Sequence, residues 1–205
     1  MRSPSGVWSL ILSAYTRQAP PGKGRKALAG AGACRQIARM DQMTTPRLHG
    51  RPCQTDDQAH VRALFGAEEI RRWASPPGLV WSPERYALIT LRLAAHWAAH
   101  GWGPRMWFAG GALVGIAGLQ FAVLDGLPAV EIAFAVLPAL QRRGFATEMI
   151  AATLVEARGI ARRVDAAVLE DNAVSRLLLA RQGFHEAGCV VEDGRRLLLL
   201  RRGAA

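Results

Sequence analysis

Residues 136 to 148 read VLPALQRRGFATE: a strand ends at Val136, a proline follows, and Gln141-Arg142-Arg143-Gly144-Phe145-Ala146-Thr147 leads into a helix. Such a turn can hold an anion. The first N–H groups of a helix have no carbonyl of their own to bond, and the helix dipole adds partial positive charge, so a negative group can be met there without a mobile lysine cage. Gly144 and Ala146 allow close approach to the main chain, Arg142 and Arg143 add charge-assisted contacts, and Thr147 offers a hydroxyl. The plainer alternative is an ordinary capped helix beginning after Pro138. Other reactive residue types are less informative. His96 and His100 have the spacing of a zinc-binding pair, but Trp97-Ala98-Ala99 supplies no glutamate and no third ligand is evident, so both are expected at the surface and no metal is expected. Cys34, Cys53 and Cys189 are odd in number and lack a CxxC pair, which excludes a disulfide framework and suits a reducing compartment. Cys189 is expected as a small buried hydrophobe in a strand.

These residues need elements to position them. Thr45 to Cys53 reads as a short strand, Thr55-Asp56-Asp57 caps a helix running to about Phe65, and Trp73 to Trp81 is a Pro- and Gly-rich loop. Ser82-Pro83 opens a long helix ending near His100-Gly101. Met106 to Leu124 has no charge over 19 residues, near the length of a membrane span. Gly110-Gly111 and Asp125-Gly126 punctuate it as turns, so it reads as two antiparallel strands, about 105 to 109 and 112 to 123. Val130, Ile132, Phe134 and Val136 alternate along the next strand, with Glu131 on its other face. A helix over 144 to 158 crosses to a strand at 164 to 169, so those two strands are parallel. A helix from Asn172 to Gln182 stops at Gly183, and a hairpin turns at Glu192-Asp193-Gly194. The order predicts an α/β fold: a mixed, mostly antiparallel sheet with one parallel helical crossover and flanking helices.

Composition narrows the function classes. Half the residues are hydrophobic and a fifth are charged, enough for a real core. Of the net charge of +10, residues 1 to 42 carry +6, with seven basic residues against Asp41, which leaves +4 for residues 43 to 205. The folded part is therefore only mildly basic, and nucleic acid is not expected as a partner. Residues 1 to 42 read as a leader, disordered or a mis-assigned start, with organised sequence beginning after Met40 or Met43. A secretory signal is disfavoured because no small-residue cleavage site follows Val7 to Tyr15, and Pro20-Pro21-Gly22 interrupts a transit-type helix. A cytoplasmic protein without membrane attachment, monomeric or homodimeric, is the expectation.

The segment from Val136 to Glu148 resembles the acyl-CoA-binding signature of the GNAT superfamily of N-acetyltransferases, with Gln141, Arg142, Gly144 and Ala146 in the signature places. Asn172, Ser175 and Gly183-Phe184 are similar to its second signature. Thr45-Pro46-Arg47-Leu48, Arg51-Pro52 and Ala146-Thr147-Glu148 resemble the RimJ/RimL-like branch, and the resemblance spans residues 43 to 202. It implies acetyl-CoA as donor, an amine as acceptor and direct transfer from a ternary complex. It further implies that the main chain of Phe134, Ala135 and Val136 holds the thioester oxygen, that residues 141 to 147, Arg143 and Phe145 included, hold the pyrophosphate, and that Asn172 bonds the pantetheine arm, caps its helix, or both. Glu131 becomes the candidate general base, directly or through water, against the alternative of an exposed polar residue on a half-solvated sheet. Many relatives have a tyrosine on the last helix to protonate the leaving thiolate. The matching residue here is Leu179, which leaves Ser175 or water for that task. The loops Phe65 to Trp81 and Gly101 to Pro104 would face the acceptor, either a protein N-terminus or a small-molecule amine. A non-catalytic acyl-CoA sensor is the alternative from another class.

Overall fold

The computed structural model describes residues 41–203. The expected leader falls almost wholly outside the described residues. Eight strands form one sheet: β1 (Met43–Thr44), β2 (His49–Pro52), β3 (Arg105–Ala109), β4 (Ala112–Leu124), β5 (Leu127–Val136), β6 (Arg163–Leu169), β7 (His185–Glu192) and β8 (Arg195–Gly203). Their spatial order is β1-β2-β3-β4-β5-β6-β8-β7, antiparallel except between β5 and β6. The uncharged stretch near residue 115 is the β3–β4 hairpin, and no helix among the described residues is long and apolar enough to cross a membrane.

Five α-helices cover the sheet: α1 (Gln58–Phe65), α2 (Glu68–Ala74), α3 (Pro83–His100), α4 (Phe145–Ala157) and α5 (Ala173–Arg181). The sequence reading has no counterpart for α2, a seven-residue helix too short to show a clear apolar period. Alternation along β5 divides the core between two faces. Ile132 packs with Ile150 and Leu154 of α4, β6 residues and Leu179 of α5. Ala133 lies on the opposite face with Leu64 and Phe65 of α1, Ile70 and Ala74 of α2, and Ile89 and Leu93 of α3. Burying such side chains is the main drive for this layered arrangement.

Three local expectations are corrected. His96 is 7% exposed rather than at the surface, because α3 turns it into a ring cluster with His100, Trp102 and Phe121. Burial first, and then His100, lowers its pKa to about 4. Cys189 is exposed, since β7 is the outermost strand of the sheet and most of its residues are exposed. Glu131 is not a solvated sheet residue: its exposure is 0%.

Candidate active site

The parallel pair β5 and β6 is registered at Glu131↔Asp165 and nowhere else, although both strands continue. Beyond that point the strands form a fork. The direction of the β5 amides follows from the other side of the strand. Leu137 N–H donates to Val114 O at 2.9 Å, and the β4–β5 register runs without a break from Gly115↔Val136 to Leu124↔Leu127. In an antiparallel ladder the bonded residues alternate, so Ala135 faces β4 while the N–H groups of Phe134 and Val136 face the fork. Of the three residues expected to offer main-chain donors, Ala135 therefore points away.

The turn after β5 is closed by Gln141, whose Nε2 donates to Val136 O at 3.2 Å. Arg142 (φ 60°) and Gly144 (φ 80°) both take left-handed backbone conformations, which glycine adopts freely and arginine only at a cost. This bend sets the start of α4. Glu148 N–H is the first to find a helical acceptor, Gly144 O at 3.2 Å, and no side chain caps the helix. The N–H groups of Phe145, Ala146 and Thr147 in front of it are those a helix start leaves without an intrahelical partner. Gln141, Arg142, Arg143, Gly144 and Thr147 are exposed around them, with Phe145 and Ala146 half-buried.

A brace that sequence reasoning missed holds this turn. Arg47 Nε donates to Glu148 Oε2 at 2.6 Å, its Nη1 donates to Arg143 O at 2.9 Å, and its guanidinium lies 4.7 Å from the Phe145 ring centroid. Thr45 Oγ1 and Arg47 N–H both donate to Glu148 Oε1. Burial alone would raise the Glu148 carboxyl, but Thr45 and Arg47 outweigh it and hold the pKa below its ordinary value. The Thr45-Pro46-Arg47-Leu48 and Ala146-Thr147-Glu148 motifs are thus two halves of one contact, 101 residues apart in the chain. Further along α4, Glu156 pairs with fully buried Arg105 of β3, both nitrogen–oxygen distances being 2.6 Å.

Glu131 sits at the crotch of the fork. Gln120 Nε2 donates to its Oε2 at 2.9 Å, and Ala167 N–H of β6 to its Oε1 at 3.4 Å. Among the described residues no cation offsets it, so burial raises its pKa to about 8, against the smaller opposing effect of those two bonds. Neighbouring Asp165 instead accepts from Arg163 Nε and Arg201 Nε, both at 2.9 Å. On α5, Asn172 Oδ1 accepts from Ser175 N–H at 3.1 Å, so the capping role is real. Ser175 is half-buried on the first turn, and Leu179 is wholly buried in the core. Among the described residues no group of three or more His, Cys, Asp or Glu could hold a metal ion.

A strand fork beside an uncapped, braced helix start is a geometry that can seat a long anionic thioester, and comparison with known families agrees. The GNAT acetyltransferase domain model matches residues 47–185. The chain belongs to that family of acyltransferases. Among curated proteins none matches the chain at a significant level. Among solved structures, a putative GNAT-family acetyltransferase from Bordetella pertussis is 27% identical, with a TM-score of 0.68 over 79% of this chain and 99% of that one. RimJ from Mycobacterium smegmatis, solved in complex with CoA-disulfide, is 26% identical, with a TM-score of 0.62 over 77% of this chain and 82% of that one. A ribosomal-protein-S5-alanine acetyltransferase from Vibrio fischeri shares the fold at 16% identity, with a TM-score of 0.63 over 80% and 96% of the two chains.

Proposed function

We propose that this acyltransferase moves the acetyl group of acetyl-CoA to a primary amine, by direct transfer within a ternary complex. The observation that carries the reading is the uncapped start of α4 beside the β5–β6 fork. In this reading the diphosphate bonds the N–H groups of Phe145, Ala146 and Thr147, with Arg142 and Arg143 alongside. The pantetheine arm enters the fork and bonds the Asn172 side chain. The thioester oxygen then lies against Phe134 and Val136 N–H, donors that are fixed before the tetrahedral oxyanion forms.

Glu131 takes the proton of the attacking ammonium, directly or through one water. Its raised pKa suits the task, because a base close to the working pH combines availability with driving force. The nitrogen attacks the thioester carbon, the tetrahedral intermediate collapses with loss of CoA thiolate, and the second proton that the nitrogen sheds on becoming an amide passes through Ser175 or water to the sulfur. A thiolate leaves readily enough for the buried Leu179 in the tyrosine's place to be tolerated. The resemblance to the RimJ/RimL-like branch favours a protein N-terminus as acceptor, with a small-molecule amine as the alternative. The working setting is cytoplasmic, as monomer or homodimer, without nucleic acid, membrane or metal.

Release of free thiol from acetyl-CoA, followed across a panel of amines and N-terminal peptides, tests the proposal. Amine-dependent release with a matching acetylated product is expected. CoA binding without release for any amine would leave a sensor in place of an enzyme.

A further inference from the structure

A cavity of about 710 Å3 is lined by α2, the loop after it and Arg195, the first residue of β8. Pockets for small ligands span roughly 300–1,000 Å3. Helix α2 itself lies against both strands of the fork: Ile70 and Ala74 share an apolar cluster with Ala133 of β5, and Trp73 packs against a cluster that holds Ala167 and Leu169 of β6. Arg195 shuts one wall, its Nη1 and Nη2 donating to Ser75 O and Arg72 O, each at 3.1 Å. The Arg72 guanidinium lies 4.7 Å from the Trp73 ring centroid.

Arg71 is different from these two. It is half-buried in the cavity wall, and its Nε is shut off from solvent without a hydrogen-bond partner among the described residues. A buried cationic N–H is costly to leave without an acceptor, and a planar guanidinium fork matches a carboxylate better than any other small group. Glu68 and Glu69 stand exposed on the same wall, and among the described residues no ion pair joins them to the arginines. A cavity with unpaired charges of both signs suits a ligand that also has both.

We propose that Arg71 binds a carboxylate of the acceptor, so that the preferred substrates are amines that also carry an acidic group. This rests on the amine-acetylation reading above. The ammonium of such a zwitterion is then presented to the fork, while its carboxylate anchors it in the α2 cavity.

The experiment compares matched acceptors with the full chain and saturating acetyl-CoA, by thiol release. One pair is Ala-Asp-Ala amide against Ala-Asn-Ala amide, and the other is alanine against alaninamide. The acidic member of at least one pair is expected to have a kcat/KM at least tenfold higher, and which pair responds tells peptide from free amino acid. Arg71→Gln is expected to erase that difference by raising KM for the acidic member about tenfold, without moving KM for acetyl-CoA, and Arg71→Lys to restore part of it. Equal turnover within both pairs by the unmodified protein overturns the inference and leaves amine acetylation standing. No turnover of any acceptor, with CoA still bound, overturns both.

Discussion

Helices α3 and α4 both begin next to a proline-containing segment, and they treat their first amides in opposite ways. Ser82 caps α3 with its own side chain, accepting from Arg85 N–H, and Pro83 at the first position has no N–H to satisfy. Gly144 opens α4 with a left-handed bend and no cap, and Arg47 and Thr45 brace the turn from outside through Glu148 and the Arg143 carbonyl. A helix start whose donors serve stability satisfies them locally. One whose donors serve a ligand must keep them open and obtain its rigidity elsewhere.

That contrast can be broken most severely at Gly144. Gly144→Glu places a side chain on a left-handed residue and a negative charge where a diphosphate would sit, so CoA affinity should fall by at least a hundredfold in a folded protein. Calorimetric titration with CoA, with circular dichroism to verify folding, measures it. Retained affinity would move the site away from α4.

Two buried acids sharpen the contrast next. Burial pushes the Asp57 carboxyl up, but Arg51, the Gln54 N–H and His60 more than offset it and hold it below the usual carboxylate range. Glu131 is held only by the uncharged Gln120 amide and the Ala167 N–H, and burial pushes its pKa up to about 8. Its unfolded-state pKa is lower, so its neutral form supports the fold below about pH 4.5 and that contribution is lost as pH rises through 8. Glu131→Gln should therefore flatten the fall in melting temperature between pH 5 and 8. It should also lower turnover by roughly a hundredfold near neutral pH while leaving CoA affinity nearly intact. The kcat/KM of the unmodified enzyme should rise through about pH 8, and the deficit of the variant should shrink as pH nears the amine's own pKa. Unchanged turnover would reduce Glu131 to a structural link between β5 and β6.

A smaller effect is expected from the brace. Arg47→Ala removes the Nε and Nη2 contacts to Glu148 Oε2 and the carbonyl contact to Arg143, and should weaken CoA binding about tenfold with kcat little changed, since the amides remain but lose their fixed aim. An equal loss in kcat and none in affinity would contradict a role at the diphosphate. The smallest effect belongs to the capped helix: Ser82→Ala should cost about 1 kcal/mol of stability, read from denaturant unfolding, and leave CoA affinity unchanged.

Much of this was legible in the sequence because it is local. The alternation in β5, the glycine turn before α4, Asn172 as a cap and the Ser82-Pro83 start each declare themselves within a few residues. What escaped depends on distance along the chain or on burial by other elements. Arg47 meets Glu148 across 101 residues and Arg105 meets Glu156 across 51, separations at which no spacing rule applies. The burial of Glu131 and His96 could not be read from their own strand or helix, because Trp102 and Phe121 of β4 close over His96 and helices packed on the Ala133 face of β5 close that side of the sheet. Alternation put Glu131 on the right face, but it could not say that the face was closed.

A crystal structure of the full chain with CoA tests the central claim most directly. The diphosphate oxygens should lie within hydrogen-bonding distance of the N–H groups of Phe145, Ala146 and Thr147, with the pantetheine arm between β5 and β6 and its sulfur near Phe134 and Val136. CoA bound with those amides still free, or with the arm lying outside the fork, would contradict it.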